Sequence, residues 1–339
     1  MTDNDYDGLL VQSFGGPEGP DDVIPFLENV LRARNVPRKR LLEVAEHYQH
    51  FGGVSPINQQ CRDLISALRH ELQEHQIHLP VYWGNRNWHP MLDETFQEMQ
   101  RDGVRRVLSF VTSAFSSYSG CRQYREDVFR CRSAVGAGEI QVDKLRVFYN
   151  HTDFISVVAE RVQQAIVGLD RGDAPFVVFT AHSIPAMMAA GCDYEQQLRE
   201  SCRLVAEQLA LPAAAWELVY QSRSGRPQDP WLEPDICDFI SDLHARGVGD
   251  LIVSPIGFIS DHMEVLFDLD TEARDVCIRL DMNMRRADTP GVHPRFIAMI
   301  RKLIQERLFG ARREAVGQYG PYHELCPEDC CLSGRPSGG

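Results

Sequence analysis

The sequence predicts an α/β protein of two Rossmann-like lobes, each a parallel sheet flanked by helices, with a cleft between them. Three observations carry this. Short apolar runs of strand character alternate with longer helical patterns, as in parallel strands joined by crossover helices. The runs fall into two similar sets before and after about residue 150. Titratable side chains stand just beyond two of the runs, where open α/β sheets bind ligands.

In chain order, Gly8-Leu-Leu-Val-Gln-Ser-Phe14 reads as a first strand running into Gly15-Gly16-Pro17. A helix from about Asp21 to Arg34 follows, with Val23, Phe26, Leu27, Val30 and Leu31 on one stripe. Further strands are expected at Pro80–Trp83, Arg106–Val111, Leu145–Phe148, Val177–Phe179, Glu217–Tyr220 and Leu251–Ser254. Helical patterns run from Arg62 to Gln76, His89 to Asp102, Phe154 to Gly168, Tyr194 to Ala210 and Pro294 to Leu308. After Gly310 the composition turns to Gly, Pro and polar residues, an irregular extension. The expected units are therefore a lobe over 1–150, a second over 151–310 and a cysteine-bearing tail over 311–339.

At 339 residues the chain has room for two domains of ordinary size. Its 43% hydrophobic and 24% charged content is that of a globular protein, and no apolar run nears the ~20 residues that span a bilayer. The opening Met1-Thr-Asp-Asn-Asp-Tyr-Asp7 lacks the basic and apolar regions of a signal peptide, so a cytoplasmic location is expected. A net charge of −13 argues against nucleic-acid binding, which needs a basic footprint. One basic stretch, Arg32 to Arg40, holds five cationic side chains; it is either a solvated loop or a local trap for a small anion.

His182 ends the apolar run Phe176-Val-Val-Phe179 within Thr180-Ala-His-Ser-Ile-Pro185, and Glu264 opens the helix after Leu251-Ile-Val-Ser-Pro-Ile256. An imidazole and a carboxylate delivered to one crevice form a candidate acid/base pair. Taken singly, each has a plainer reading: a structural histidine, and an acid compensating a helix dipole. The sequel favours chemistry. Asp268 and Glu272 follow at helical spacing, and a row of like charges destabilises a helix unless it is solvated or handles cations or protons.

Other motifs narrow the classes. Gly15-Gly16-Pro17 lacks both the dinucleotide fingerprint and the Lys-Ser/Thr of a P-loop. Ser183 has no Gly-x-Ser-x-Gly elbow around it, which argues against a serine hydrolase. Phe14, Trp83, Trp88, Phe115, Tyr118, Tyr124, Trp231 and Phe258 collect near strand ends, where core packing or a planar aromatic ligand would each account for them. Ten cysteines without a secretion signal are no disulfide framework. Seven are scattered, and three crowd the tail as Cys326-Pro-Glu-Asp-Cys330-Cys331. That spacing is poor for a disulfide and awkward for one tetrahedral zinc, whose ligands must turn toward a single ion. It leaves free thiols or a two-iron cluster, which would need a fourth ligand from the body.

The segments Val11-Gln-Ser-Phe-Gly-Gly-Pro17, Gly53-Val-Ser-Pro-Ile57, Thr180-Ala-His-Ser-Ile-Pro185, Gln221-Ser-Arg-Ser-Gly225 and Phe258-Ile-Ser-Asp-His-Met-Glu-Val-Leu-Phe-Asp-Leu-Asp270 together resemble the ferrochelatases, over about Asp7 to Leu308. Gly84-Asn-Arg-Asn-Trp88, Ser116-Ser-Tyr-Ser-Gly-Cys-Arg-Gln-Tyr124 and the cysteine tail look most like the actinobacterial branch. That resemblance implies a chelatase-like fold and a lyase of haem biosynthesis, inserting Fe²⁺ into coproporphyrin III to give coproheme. Its expected partners are the porphyrin, ferrous iron and, transiently, neighbouring haem-pathway enzymes, and the chain itself is expected to be a monomer. His182 falls on the family's catalytic histidine, as proton acceptor, metal ligand or both, and Glu264 on its partner carboxylate. Asp268 and Glu272 would then lead protons away or feed iron in, carboxylate and imidazole being apt transient ligands for Fe²⁺. Phe14, expected to bind substrate, stands where some bacterial relatives carry a metal-approaching tyrosine, and cannot ligate. Ser55, Tyr124 and Arg32 are expected to meet substrate carboxylates. The tail matches the family's two-iron, two-sulfur (2Fe-2S) cluster, implying Cys326, Cys330 and Cys331 as ligands. The internal ligand of animal enzymes corresponds to about Val157 and does not transfer, so Cys121 is the preferred fourth, with Cys192 next. Rival readings are a protoporphyrin IX ferrochelatase, a cobalt or nickel chelatase, and a non-catalytic haem- or porphyrin-binding protein.

Overall fold

Two sheets with the same strand order form the frame. The computed structural model describes residues 6–32, 36–169, 174–224, 226 and 228–334. Arg34 of the basic stretch and Gly225 of the Gln221 loop lie outside them. The first sheet is ordered β2-β1-β3-β4, with β1 Gly8–Ser13, β2 Val81–Asn85, β3 Arg106–Val111 and β4 Gln141–Lys144. The second is ordered β6-β5-β7-β8, with β5 Phe176–His182, β6 Trp216–Gln221, β7 Asp250–Ser254 and β8 Asn283–Arg286. Every pairing is parallel. In each order the chain reverses direction across the sheet beside its first strand, which opens a crevice at the carboxyl ends of β1 and β3 and again at those of β5 and β7.

The helices α1 Val23–Val30, α2 Arg38–His50, α3 Ile57–Glu74, α4 Leu92–Arg101 and α5 Gln123–Ala134 belong with the first sheet. After them come α6 Thr152–Val167, α7 Ala186–Ala189, α8 Tyr194–Gln208, α9 Ile236–Ala245, α10 Met263–Phe267, α11 Arg274–Arg279 and α12 Pro294–Phe309. Parallel neighbours need such crossovers, and burial on both faces explains why β1 and β7 read as unbroken apolar runs.

The strand expected at Leu145–Phe148 is displaced. The ladder takes Gln141–Lys144, and Leu145, Val147, Phe148 and Tyr149 are buried off the sheet. Phe148 stacks on Phe110 at 5.7 Å and meets Phe154 and Phe296 edge-on, so the apolar run is core between sheet and helices rather than ladder. β8 escapes sequence reading because Asn-Met-Arg-Arg is polar, as is Gln-Val-Asp-Lys of β4. Both are edge strands, where polar side chains discourage pairing with other chains.

One apolar cluster runs through both halves, taking Leu9, Val11 and Phe110 from the first sheet, Val177, Phe179 and Ile252 from the second, and Phe296 and Ile300 from α12. Polar ties reinforce it. Gln197 on α8 donates to Ser116 Oγ and accepts from Ser116 N, both at 2.8 Å, and Asp261 N donates to Gln60 Oε1 at 2.8 Å.

Candidate active site and cysteine site

His182 is the last residue of β5, the first part-exposed position after six buried ones. Its position is set from three sides. Tyr194 Oη donates to the His182 carbonyl at 3.1 Å. His182 Nδ1–H donates to the Ser183 carbonyl, which leaves Nε2 facing the cleft. The loop after β7 lies close against β5: Gly257 N donates to Thr180 O at 3.0 Å, and a Cβ on Gly257 would stand 2.7 Å from Ala181 Cα. Only glycine admits that approach.

The same loop carries His262, whose Nδ1 accepts from Glu264 N at 3.2 Å and so caps α10. Glu264 Oε2 then comes within 3.6 Å of His182 Nε2, across the β5/β7 crevice. Both groups are open to the cleft, with 32% and 47% of their side chains accessible. Burial works against charge on each, but mutual attraction prevails. The nearby Glu264 carboxylate, with the Ser183 carbonyl, raises His182 to about 9, and His182 in turn holds the Glu264 carboxyl low, at about 2. Near neutral pH the pair is imidazolium and carboxylate.

Asp268 follows at the start of a π-turn, Asp268–Ala273, that joins α10 to α11. Ser222 Oγ donates to Asp268 Oδ2, as does Gln221 Nε2 at 3.3 Å; the same amide also reaches the Glu264 carbonyl at 3.3 Å. Burial is the main reason that Asp268 titrates high, near 7, and the Glu264 and Glu272 charges add to it. Glu272 is raised by burial and then by Asp235, though the π-turn leaves it outermost and exposed.

The elements of the first sheet carry an aromatic cluster that reaches the acidic helix through α2. Phe14 at the end of β1 and Trp88 each meet Phe26 edge-on at 6.2 and 6.4 Å, and Tyr48 packs on Phe26 at 5.7 Å. His47 of α2 stacks on Phe267 at 3.9 Å, joining α2 to the acidic helix. Burial pushes the Tyr48 phenol up, with Glu264 and Asp268 adding to it. Ser55 is buried behind Gly16, where an added Cβ would meet it at 2.7 Å. Arg32 is exposed and donates to Asn29 Oδ1 at 2.7 Å. Tyr124 lies elsewhere: it is buried beneath the Arg86 guanidinium, 4.9 Å from its ring centre, and lines a separate cavity of about 210 Å³ under the tail. Phe115, at 1% exposure, is core. His262, Tyr48 and Ser222 are site residues the sequence reading did not single out, although His262 stands two places before Glu264 inside a quoted motif.

Four cysteines border that second cavity. Cys121, on the π-turn Tyr118–Arg122, has its thiol pushed down, Cys326 and Cys331 being the main causes. Cys330 Sγ lies 3.4 Å from Cys331 Sγ. Adjacent cysteines achieve this because Cys331 takes a left-handed backbone, φ 55°, a costly conformation for a residue with a Cβ. Arginines from the first lobe bind the tail backbone: Arg122 Nη1 donates to Cys330 O at 3.0 Å, and Arg125 Nη1 to Cys326 O at 3.3 Å and Pro327 O at 3.2 Å. Cys192, part-buried, donates to Met188 O at 3.3 Å.

The family profile described as Ferrochelatase matches residues 6–308. The chain belongs to the ferrochelatase family. Among curated relatives, the ferrochelatase of Rhodopirellula baltica is 56% identical over 96% of this chain and 93% of its own. The coproporphyrin III ferrochelatases of Streptomyces coelicolor and Nocardia farcinica are 47% and 49% identical, over 98% and 97% of this chain and 94% of each of theirs. In fold, the chain is similar to SirB from Bacillus subtilis with Fe³⁺, with a TM-score of 0.55 at 12% identity over 89% of this chain and 97% of that one. The two four-stranded parallel sheets flanked by helices are thus a chelatase architecture. No helix among the described residues is long and apolar enough to cross a membrane.

Proposed function

We propose that this chain inserts ferrous iron into coproporphyrin III, releasing two protons and giving coproheme for haem biosynthesis. The observation that carries the reading is the His182–Glu264 pair, 3.6 Å apart at a strand-end crevice. Family membership makes the metal iron and the acceptor a porphyrin; the Streptomyces and Nocardia relatives favour coproporphyrin III.

Metal insertion requires a base against one ring face, transient ligands for Fe²⁺ and a path for protons. His182 supplies the base once its own proton has left. Glu264 holds the imidazole in place and gives Fe²⁺ an oxygen ligand, and an arriving dication opposes the proton between them. Asp268, titrating near neutrality and steadied by Ser222 and Gln221, accepts and releases protons within the working range. Glu272 continues the route to the surface. Phe14 and Trp88 offer the apolar face that a flat macrocycle needs; Ser55 and Arg32 stay assigned to its carboxylates, and Tyr124, in the other cavity, is a weaker candidate.

Four cysteines lining one cavity support reading the tail as a 2Fe-2S site. Cys121, Cys326, Cys330 and Cys331 are the donors we assign to it, and Arg122 and Arg125 bring positive charge toward a tetrathiolate core. Such a group supplies one-electron chemistry when bound. The lobes 1–150 and 151–310, the tail 311–339, a cytoplasmic location and a monomeric state complete the proposal.

The test is anaerobic iron insertion with coproporphyrin III and protoporphyrin IX side by side. Faster turnover of coproporphyrin III is expected. His182→Ala and Glu264→Gln should each lower kcat by about a hundredfold or more while the porphyrin still binds, as loss of positioned acid/base function does. Retained turnover in both variants would refute the assignment, and a preference for protoporphyrin IX would overturn the substrate.

A further inference from the structure

The tail holds one more metal-binding group than a four-cysteine cluster uses. Ligand atoms of His323, Cys326 and Cys330 all lie within 4.8 Å of one another, with His323 exposed and both cysteines part-buried. The ring of Tyr322 packs on His323 at 4.0 Å between centroids, and Tyr322 Oη donates to Asp193 Oδ2 at 2.9 Å, so the histidine is held rather than free in solvent. Cys326 and Cys330 therefore belong to two overlapping donor sets. One, with buried Cys121 and Cys331 lining the same cavity, is the four-sulfur set assigned above. The other, closed by exposed His323, offers one nitrogen and two sulfurs in a His-x2-Cys-x3-Cys spacing.

We propose that, when no iron–sulfur cluster is assembled, His323, Cys326 and Cys330 bind a single zinc-class divalent cation, with the fourth position open to solvent. Nitrogen and thiolate at this spacing are the donors Zn²⁺ prefers, and three protein ligands with one open place is an established zinc arrangement. The awkwardness of adjacent Cys330 and Cys331 does not arise, since this set needs only one of them. Two loadings then compete for Cys326 and Cys330: a cluster when iron and sulfide are supplied, one cation when they are not. This second site rests on the cluster reading above only for the competition, because its three ligands stand without Cys121.

The experiment titrates the cluster-free, reduced full-length protein with Zn²⁺ and, for spectra, with Co²⁺; separately, it reconstitutes the same preparations with iron and sulfide. His323→Ala should weaken zinc binding about tenfold or more and still assemble the visible-absorbing cluster. Cys121→Ser should lose the cluster and keep zinc affinity. His323→Cys should restore zinc binding and intensify the thiolate-to-cobalt band. Unchanged zinc affinity in His323→Ala, or an equal loss in Cys121→Ser, would overturn the proposal. If the wild-type chain takes up zinc through His323 but never forms a cluster, the cluster reading fails and the single-cation site stands.

Discussion

A histidine that is already protonated cannot take a pyrrole proton, and that is the condition of His182 near neutral pH. Burial alone would push its pKa down; the neighbouring Glu264 carboxylate reverses the effect and carries it to about 9. Iron insertion should therefore speed up as pH rises through the range in which free-enzyme His182 deprotonates, with the ascending limb of kcat/KM governed by this group. Glu264→Gln removes the charge that holds the proton on. Its residual activity should show an ascending limb at lower pH, although the maximum is lower than wild type. A pH profile of kcat/KM in both proteins checks this, and a limb that stays in place would mean that some other group sets the rate. Part of this scale was legible in the sequence: His182 and Glu264 were singled out and stand 3.6 Å apart, and Cys121 lines the same cavity as the tail cysteines. The place of Tyr124 in the tail cavity was not legible, because nothing in its flanking residues says that it faces there. His262 was passed over because the role of a helix-capping imidazole depends on a loop geometry set by Gly257, which spacing alone does not reveal.

The elements that sequence reading missed share a physical cause. β4 and β8 are half-exposed edges whose polar residues hide the alternation that marks a strand, and α2 opens with Arg-Lys-Arg, which reads as solvated charge. The two π-turns are invisible to a 3.6-residue period, yet they carry Cys121 and Asp268, in keeping with the habit of such turns to occur at functional sites. The second turn has a thermodynamic consequence. Asp268 titrates near 7 in the folded chain, against about 3.9 for an unfolded aspartate, so the folded state binds the proton more tightly. Stability from this group is complete below the unfolded value and is lost as pH climbs through the folded one. Asp268→Asn, which carries no charge, should thus raise the thermal midpoint above the wild type's at pH 8 and leave it little changed near pH 4. Calorimetry at the two pH values tests this. A destabilised variant at pH 8 would show that the Ser222 and Gln221 hydrogen bonds outweigh the buried charge.

At the scale of the molecule, a two-lobed enzyme with a cleft must hold its halves in register without filling the space between them. Here helix α12 supplies the ties. α12 packs on both α3 and α6, and Arg301 Nε of α12 bonds Glu71 of α3 at 2.7 Å. Arg146, just after β4, makes a bidentate pair with Glu306 of α12 at 2.8 Å on each arm, with 1% and 3% of the side chains accessible. The same guanidinium donates to Glu314 O at 2.8 Å, so one residue joins the first sheet, the last helix and the start of the tail. A buried pair contributes little net stability while whole but is costly to break, because the remaining charge has no water to turn to. Glu306→Leu should therefore lose roughly 3–5 kcal/mol of unfolding free energy, measured by urea denaturation. Adding Arg146→Met to it should recover most of that loss, since two apolar side chains of similar volume remove the stranded charge. Were the double variant as unstable as the single one, the Arg146 bond to the tail carbonyl, rather than the ion pair, would be what fastens the tail to the body.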